Sequence, residues 1–405
     1  MTTRFRFGRA LCATVAAAGL LSAPYGRLGP APALAQGAAP IVIGASLSLT
    51  GIFADGGKYS LEGYQLWIKQ QNAKGGLLGR QLVLKYYDDQ SEPATGVRLY
   101  ERLINEDKVD VIMGPYGTAI TAPAANVAER YKMPMICPET ADVAMFRRGF
   151  KYIFQGLGPV QTYLYGVLSI AKDHKLRTLA LIGPDTAFAH SLVDAVPEVA
   201  RGFGQSIVYT EFYPARASDF SSVIEKVKAA NPDAVLAMAF PNDSIGVLRQ
   251  LKQSNYAPKL FYEAIGASDP RYVQSAGQDV NGVFSVTAWD PDNTSKENAE
   301  FKTSYRAEFH RDPDYHAASN YSALEVLAAA IKRAGSLDHD KLRDAIAEVR
   351  VSTLIGNWRI DPRTGIQLGY TSYILQWQNG KQVIVYPGNV AHGKPIVPFP
   401  PWTGR

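Results

Sequence analysis

From Pro40 onward, apolar runs of strand length alternate with stretches whose apolar positions recur every three or four residues. "PIVIGASLSL" is a strand-like run ending in small residues. "KYSLEGYQLWIKQQNAKGG" sets Leu61, Tyr64, Leu66 and Ile68 at roughly helical spacing, and Gly75-Gly76 ends it. "RQLVLKYYDD" alternates as a strand does. "EPATGVRLYERLINED" is helical, with Pro93 near its start, and "VDVIMGP" is a short buried strand. The rhythm continues through "RTLALIGP", "FAHSLVDAVPEVARGF", "QSIVYTEFYP", "DFSSVIEKVKAANP", "DAVLAMAF", "NDSIGVLRQLKQSN" and "KLFYEAIG". Strands separated by helices of about 10–15 residues predict βαβ units and a mostly parallel sheet, an α/β fold.

The alternation contains an echo. "RLYERLINEDKVDVIMGPYGT" and "SVIEKVKAANPDAVLAMAFPND" share an amphipathic helix, an Asp, a buried strand and a loop of Pro with small or polar residues. This predicts two lobes of similar topology. Ligands of open α/β sheets bind beyond the carboxyl ends of strands, so facing lobes would line one cleft with both loops. After about residue 290 the pattern changes to three helices, "SKENAEFKTSYRAEFH", "YHAASNYSALEVLAAAIKRAG" and "DHDKLRDAIAEV". A hairpin follows in "YTSYILQWQNGKQVIVYP", with Asn379-Gly380 at its turn. The proline-rich end, "PFPPWTGR", is expected to lie extended on the surface.

The first 35 residues stand apart. Arg4, Arg6 and Arg9 precede an apolar core from Ala10 to Ala23, and "ALAQ" closes the segment with small residues at Ala33 and Ala35. That order describes a secretory signal peptide cleaved near Ala35, with a core too short for a spanning helix of about 20 residues. Cys12 lies in this core without the small-residue context of a lipoprotein signal. No other apolar run reaches membrane length.

Removing the segment changes the charge argument. The chain has 42 Lys and Arg against 37 Asp and Glu, and four of the arginines lie in the first 35 residues. The remaining 38 basic residues nearly balance the acids, so no basic face for nucleic acid is implied. One cysteine, Cys137, remains. It follows "PMI" and reads as a small buried core residue.

The chemistry of common enzymes is missing from the motifs. "GASLS" lacks the last glycine of a nucleophile elbow, and "GLGPVQ" fails a dinucleotide fingerprint at its final position. There is no phosphate-loop lysine signature. The six histidines are scattered without metal-ligand spacing. Asp88-Asp89 closes a strand before a Pro-started helix, where a cap and turn role outweighs a metal role. No catalytic residue, metal or cofactor is expected.

The loops offer binding groups. In "VIMGPYGTAITAPAA", Pro123 is tolerated only in a first helical turn, which makes Thr121 the expected N-cap and residues 117–120 the entry. Unpaired N–H groups at such a start suit a carboxylate, and Thr118 either adds a hydroxyl donor or merely caps the turn. In "CPETADV", Glu139, Thr140 and Ala141 would sit beside that loop. Glu139 would repel a carboxylate but could hold an amino group, or it is a solvated surface acid. Phe188 in "GPDTAFAHS" and Phe240 in "AMAFPNDS" each follow a strand at a helix entry and are wall residues or core residues. Glu263 in "FYEAIGASD" stands at another strand end and would suit a cationic group.

"IVIGASLSLTGIFADGGKYSLEGYQLWIKQQNAKGGLLGRQLVLKYYDDQSEPATGV" followed by "LINEDKVDVIMGPYGT" resembles the periplasmic solute-binding proteins of branched-chain amino acid ABC transporters, the leucine/isoleucine/valine-binding family. The opening "SLTG", the "NAKGG" turn, the "DD" strand end and the "VDVIMGP" strand occur in order, and the similarity runs from about Pro40 to Pro387. The resemblance implies two Rossmann-like lobes joined by a three-stranded hinge, the type I periplasmic binding fold, closing on a ligand that is handed to membrane permease subunits.

It also implies site residues. The carboxylate-binding position corresponds to Thr118, with Tyr116 and Gly117 before it. The next loop corresponds to Glu139 and Ala141. Ala141 lacks the hydroxyl of the family pattern unless Thr140 replaces it. Two tyrosines of the second lobe correspond to Phe188 and Phe240, again without hydroxyls. The acid that pairs with an α-amino group falls near Glu263, and the aromatic of the first loop corresponds to Gly56, leaving more room. Each lost donor costs about 0.5–1.5 kcal/mol, which points to a roomier, more apolar cleft. The expected ligand is a small carboxylate with an apolar or aromatic body, either an aromatic acid or a branched-chain or aromatic amino acid.

The expected organisation is lobe 1 from 36–159 plus 290–368, lobe 2 from 160–289 plus 369–387, and a tail from 388. A monomeric periplasmic binding protein is expected rather than an exported enzyme. The alternative is a ligand-sensing protein feeding a signalling partner, which the absence of any appended signalling segment disfavours.

Overall fold

The computed structural model describes residues 39–403; the expected signal peptide lies outside them. The chain first builds β1 (Ile41–Leu47), α1 (Ala54–Ala73), β2 (Leu82–Asp88), α2 (Pro93–Asn105), β3 (Val111–Met113), α3 (Thr118–Arg130), β4 (Met135–Cys137) and β5 (Ile153–Gln155). Their strands form one parallel sheet in the order β2-β1-β3-β4-β5. The chain then builds α4 (Thr162–Asp173), β6 (Thr178–Pro184), α5 (Ala187–Phe203), β7 (Ser206–Tyr213), α6 (Ser221–Ala230), β8 (Ala234–Ala237), α7 (Pro241–Gln253), β9 (Leu260–Glu263), α8 (Tyr272–Ala276) and β10 (Phe284–Thr287). Here the order is β7-β6-β8-β9-β10. Both sheets therefore carry the same doubly wound 2-1-3-4-5 topology. The echo noted in the sequence is this repeat: β3 and β8 are each the third strand of their sheet.

Short strands buried on both faces explain the unbroken apolar runs. Every residue of β3, β4, β8, β9 and β10 is buried, as helices covering both sides of a parallel sheet require.

The chain then returns to the first sheet as α9 (Lys296–Phe309), α10 (Tyr315–Ala334) and α11 (His339–Glu348). Alanine-rich α10 lies against α1. Gly63 permits this approach, because a Cβ there would stand 2.4 Å from the Ala317 carbonyl oxygen. A small pair, β11 (Ser352–Thr353) and β12 (Gly356–Asn357), precedes β13 (Tyr373–Gln378) and β14 (Lys381–Tyr386). They extend the second sheet, β13 antiparallel to β10 and β14 antiparallel to β13. Their turn places Asn379 and Gly380 at φ of 51° and 71°, the positive pair that a tight hairpin needs.

Three segments cross between the two sheets, after β5, after β10 and before β13. The first and third touch through Thr162 Oγ1 and Ser372 Oγ at 2.9 Å, and through the Gln367 amide donating to Gln155 Oε1 at 3.2 Å.

Two details differ from expectation, and a third agrees with it. The helix start is at Thr118, with Gly117 as N-cap, not at Thr121. Pro123 is tolerated at the sixth helical position, where it forfeits only the bond to the Ala119 carbonyl. The Thr121 hydroxyl is bonded to the carbonyls of Gly117 and Pro115. The proline-rich end is extended but not merely superficial. Phe399 is buried, packs edge-on to Phe261 at 5.9 Å and donates its N–H to the Lys259 carbonyl at 2.7 Å. Asp88 and Asp89 do organise turns: Asp88 accepts from the amides of Leu49, Thr50 and Gln90, and Asp89 from the hydroxyls of Ser46 and Ser48.

Candidate functional site

The carboxyl ends of both sheets open onto one cavity. The two layers meet at its mouth. Arg271 reaches Asp55 at 3.3 Å, Ser191 donates to Asp142 at 3.1 Å, and the rings of Phe53 and Phe240 lie 5.3 Å apart.

One end of the cavity is the start of α3. The first intrahelical bond runs from the Thr121 N–H to the Gly117 carbonyl at 3.0 Å. The N–H groups of Thr118, Ala119 and Ile120 therefore have no acceptor within the helix. Gly117 turns the chain into this start at φ 75°, a value that favours glycine. Thr118 is buried, lines the cavity, and its hydroxyl makes no hydrogen bond among the described residues. Together these are donors without partners at the positive end of a helix dipole. Among the described residues no lysine or arginine lines the cavity, so this helix start supplies positive potential there.

The walls are aromatic. Phe53 packs on Tyr116 at 5.5 Å and on Phe240 at 5.3 Å. Phe240 packs on Phe188 at 5.5 Å, and Phe188 on Tyr163 at 6.2 Å. Each tilted or edge-on pair adds about 0.5–1.5 kcal/mol beyond area burial, which holds the arc in shape. Leu157, Ile265 and Ala141 complete the apolar lining.

The floor is polar and buried. Glu139 accepts from the Ser60 hydroxyl at 2.6 Å through Oε2, while its Oε1 has no partner. Burial pushes its carboxyl up to about 7, against the opposing pull of His316 and the Ser60 hydrogen bond. His316 Nδ1 lies 2.6 Å from Asp314, and its Nε2 is 3.3 Å from the Tyr116 hydroxyl. Burial disfavours the imidazolium, but the adjacent Asp314 carboxylate outweighs it and raises the His316 pKa. Tyr163 and Tyr315 also line the cavity, and their hydroxyls make no hydrogen bond among the described residues. Burial raises both phenols well above the ordinary range, so they are neutral.

Of the residues singled out from the sequence, Tyr116, Gly117, Thr118, Glu139, Ala141, Phe188 and Phe240 line the cavity. Thr140 does not: its hydroxyl donates to Thr121 at 2.9 Å, so it cannot stand in for the group missing at Ala141. Glu263 does not either. It is fully buried, and the Tyr272 hydroxyl of α8 captures its carboxyl away from the cavity. Gly56 opens no room, because a Cβ there would meet the Tyr116 ring at 2.8 Å and His316 Nε2 at 3.1 Å. The aromatic of the first loop is Phe53, three positions earlier. The expected loss of hydroxyls also needs correcting. Phe188 and Phe240 carry none, but Tyr116, Tyr163 and Tyr315 bring three phenols from elsewhere.

Phe53, Leu157, Tyr163, Thr186, Ile265 and Tyr315 were missed. Only Tyr315 had a usable signal: it follows Asp314, which caps α10 by accepting from the Ala317 N–H at 3.1 Å. Cys137 is wholly buried in β4, and burial raises its thiol pKa, as expected of a core cysteine.

Two α/β layers of one topology, with a cavity beyond the strand ends of both, define a two-lobed solute-binding protein of the type I periplasmic fold. The chain belongs to the periplasmic binding protein family, whose model matches residues 40–382. It is 25% identical to Leu/Ile/Val-binding protein homolog 8 of Brucella abortus over 410 residues, covering 96% of each chain. Among solved structures it is similar to the isoleucine complex of a branched-chain amino acid substrate-binding protein from Streptococcus pneumoniae. That match has a TM-score of 0.77 and 21% identity, and covers 89% of this chain and 100% of the other. It is likewise similar to a solute-binding protein from R. palustris in complex with benzoate, with a TM-score of 0.78 and 19% identity, covering 85% and 95%. Family membership implies an extracytoplasmic location. Among the described residues no helix is long and apolar enough to cross a membrane.

Proposed function

We propose that this protein is the solute-binding component of an ABC importer and carries a small carboxylate with an apolar or aromatic body to membrane permease subunits. One observation carries the reading: unpaired N–H groups and the Thr118 hydroxyl stand at the start of α3, inside an aromatic cavity that no lysine or arginine lines. That pole suits a carboxylate, and the phenylalanine arc suits an apolar body. The isoleucine and benzoate complexes of similar folds agree with both halves of the description. Arrival in the periplasm would follow signal cleavage near Ala35. The mature chain would work as a monomer, with lobes of 36–159 plus 290–368 and 160–289 plus 369–387. Ligand would draw them together about the three crossing segments, and the closed form would dock on the permease.

Calorimetric titration of unfolded, ligand-stripped and refolded protein tests the assignment. Binding of small apolar or aromatic carboxylates, with amino acids or without the amino group, is expected. Silence toward every carboxylate would overturn it.

A further inference from the structure

Glu139 has a role that no carboxylate-binding pole explains. It is nine-tenths buried, lines the cavity, and its Oε1 has no partner. Its loop is tied to the first turn of α3 by the Thr140–Thr121 hydroxyl contact at 2.9 Å, so a ligand carboxylate held there lies close to the Glu139 carboxyl. Two like charges at such a place, with no lysine or arginine in the lining, would repel strongly.

A second orphan stands nearby. Asn320 stands against the same carboxyl, where its amide pulls the Glu139 pKa down against burial; it donates to the His316 carbonyl at 2.9 Å while its buried Oδ1 has no partner. Two buried acceptors lacking donors call for a proton. An ammonium group could supply several. The other acid expected to serve it, Glu263, does not line the cavity, which leaves Glu139 as the one carboxyl among the described lining residues.

We propose that Glu139 binds the ligand as a neutral carboxylic acid, which makes it the residue that selects carboxylates without an α-ammonium group and couples their binding to uptake of a proton. This rests on the carboxylate reading above. In the occupied site the Glu139 O–H donates to the ligand carboxylate, a charge-assisted bond of the strong class. Where the free protein has already ionised, one proton enters from solvent with the ligand and resides on Glu139.

The groups facing Glu139 are known from each side. Ser60 and Tyr64 come from α1, Tyr116 from the β3–α3 loop, and Tyr163 from α4. Asp314, Tyr315, His316 and Asn320 come from the start of α10. The tyrosines stay neutral through the working range. His316 alone titrates in the same direction as Glu139, since loss of its positive charge also weakens anion binding.

Matched pairs differing only in the ammonium group test the inference: 4-methylpentanoate against L-leucine, and 3-phenylpropanoate against L-phenylalanine. Each is titrated calorimetrically at pH 6 and pH 8.5, in two buffers of different ionisation enthalpy, with the wild-type protein and Glu139→Gln. The acids lacking nitrogen are expected to bind more tightly in both pairs. Their affinity should fall about 10- to 30-fold between the two pH values, given a carboxyl near 7, with nearly one proton taken up per ligand at pH 8.5. The slope should fall in Glu139→Gln to the smaller part that His316 carries. A slope as steep there as in the wild type belongs to His316 alone and overturns the proposal. Tighter binding of the amino acids, with proton release, overturns it while leaving the carboxylate reading intact. Failure of all four probes overturns both.

Discussion

Replacing Thr118 by valine isolates one hydroxyl at the carboxylate pole. The side chains are nearly isosteric, so the cavity keeps its shape. The hydroxyl makes no hydrogen bond within the described residues, so its removal strands no internal partner, and folding stability should change by less than about 0.5 kcal/mol. The N–H groups of residues 118–120 remain, and the helix start keeps its dipole. What disappears is a single hydrogen bond to a charged group, about 1.5–2 kcal/mol in a buried site. The dissociation constant should therefore rise about 10- to 30-fold. Calorimetric titration gives that constant, and a thermal melt of the ligand-free protein reports the fold. An unchanged constant with an unchanged melt would refute the assignment of the pole to Thr118. A lowered melting temperature would show instead that the hydroxyl supports the helix start.

Further outcomes follow from the same geometry. Glu263→Gln should leave affinity for any carboxylate within about twofold, because the carboxyl is captured by Tyr272 and does not line the cavity; a large loss would place it in the site. Burial holds the Glu139 carboxyl near 7, above its unfolded value of 4.5. The unfolded chain thus loses this proton first, and stability falls as pH rises from about 4.5 to 7. His316, raised when folded, contributes stability below its unfolded value of 6.5 that is also lost as pH rises through its folded value. Urea unfolding of the ligand-free protein should show a decline on the order of 1–3 kcal/mol, shallower in Glu139→Gln; equal slopes would show that Glu139 does not carry it. Phe399→Ala should cost about 3 kcal/mol of stability, since the ring is buried against Phe261; a small change would mean the tail is not anchored.

The fold was legible because its signals are local. Period-2 and period-3.6 patterns marked strands and helices, and the recurrence of helix, Asp, buried strand and loop around β3 and β8 revealed the repeated topology. Loops at strand ends were legible for the same reason, so Gly117, Thr118, Glu139, Ala141, Phe188 and Phe240 could be named, and the family resemblance added Tyr116. Orientation was not. Glu263 and Thr140 sit at the right chain positions, but Tyr272 bonds one Glu263 oxygen and Thr121 the Thr140 hydroxyl, neither residue lines the cavity, and both partners arrive from separate elements. Phe53 replaces the aromatic expected near Gly56 because spacing along an irregular loop does not fix where a ring points. Tyr163 and Tyr315 come from the first turns of α4 and α10, beside segments that cross between the sheets. Only the closed arrangement of both layers brings them to the cavity floor, and no local pattern records that.

The central claim is that the cavity holds a carboxylate at the start of α3. The most direct measurement is the mass and structure of the small molecule released on denaturing protein purified without added ligand. A small acid with one carboxylate and an apolar or aromatic body is the expected result. A sugar, a metal complex or a cation lacking any carboxylate would contradict the account.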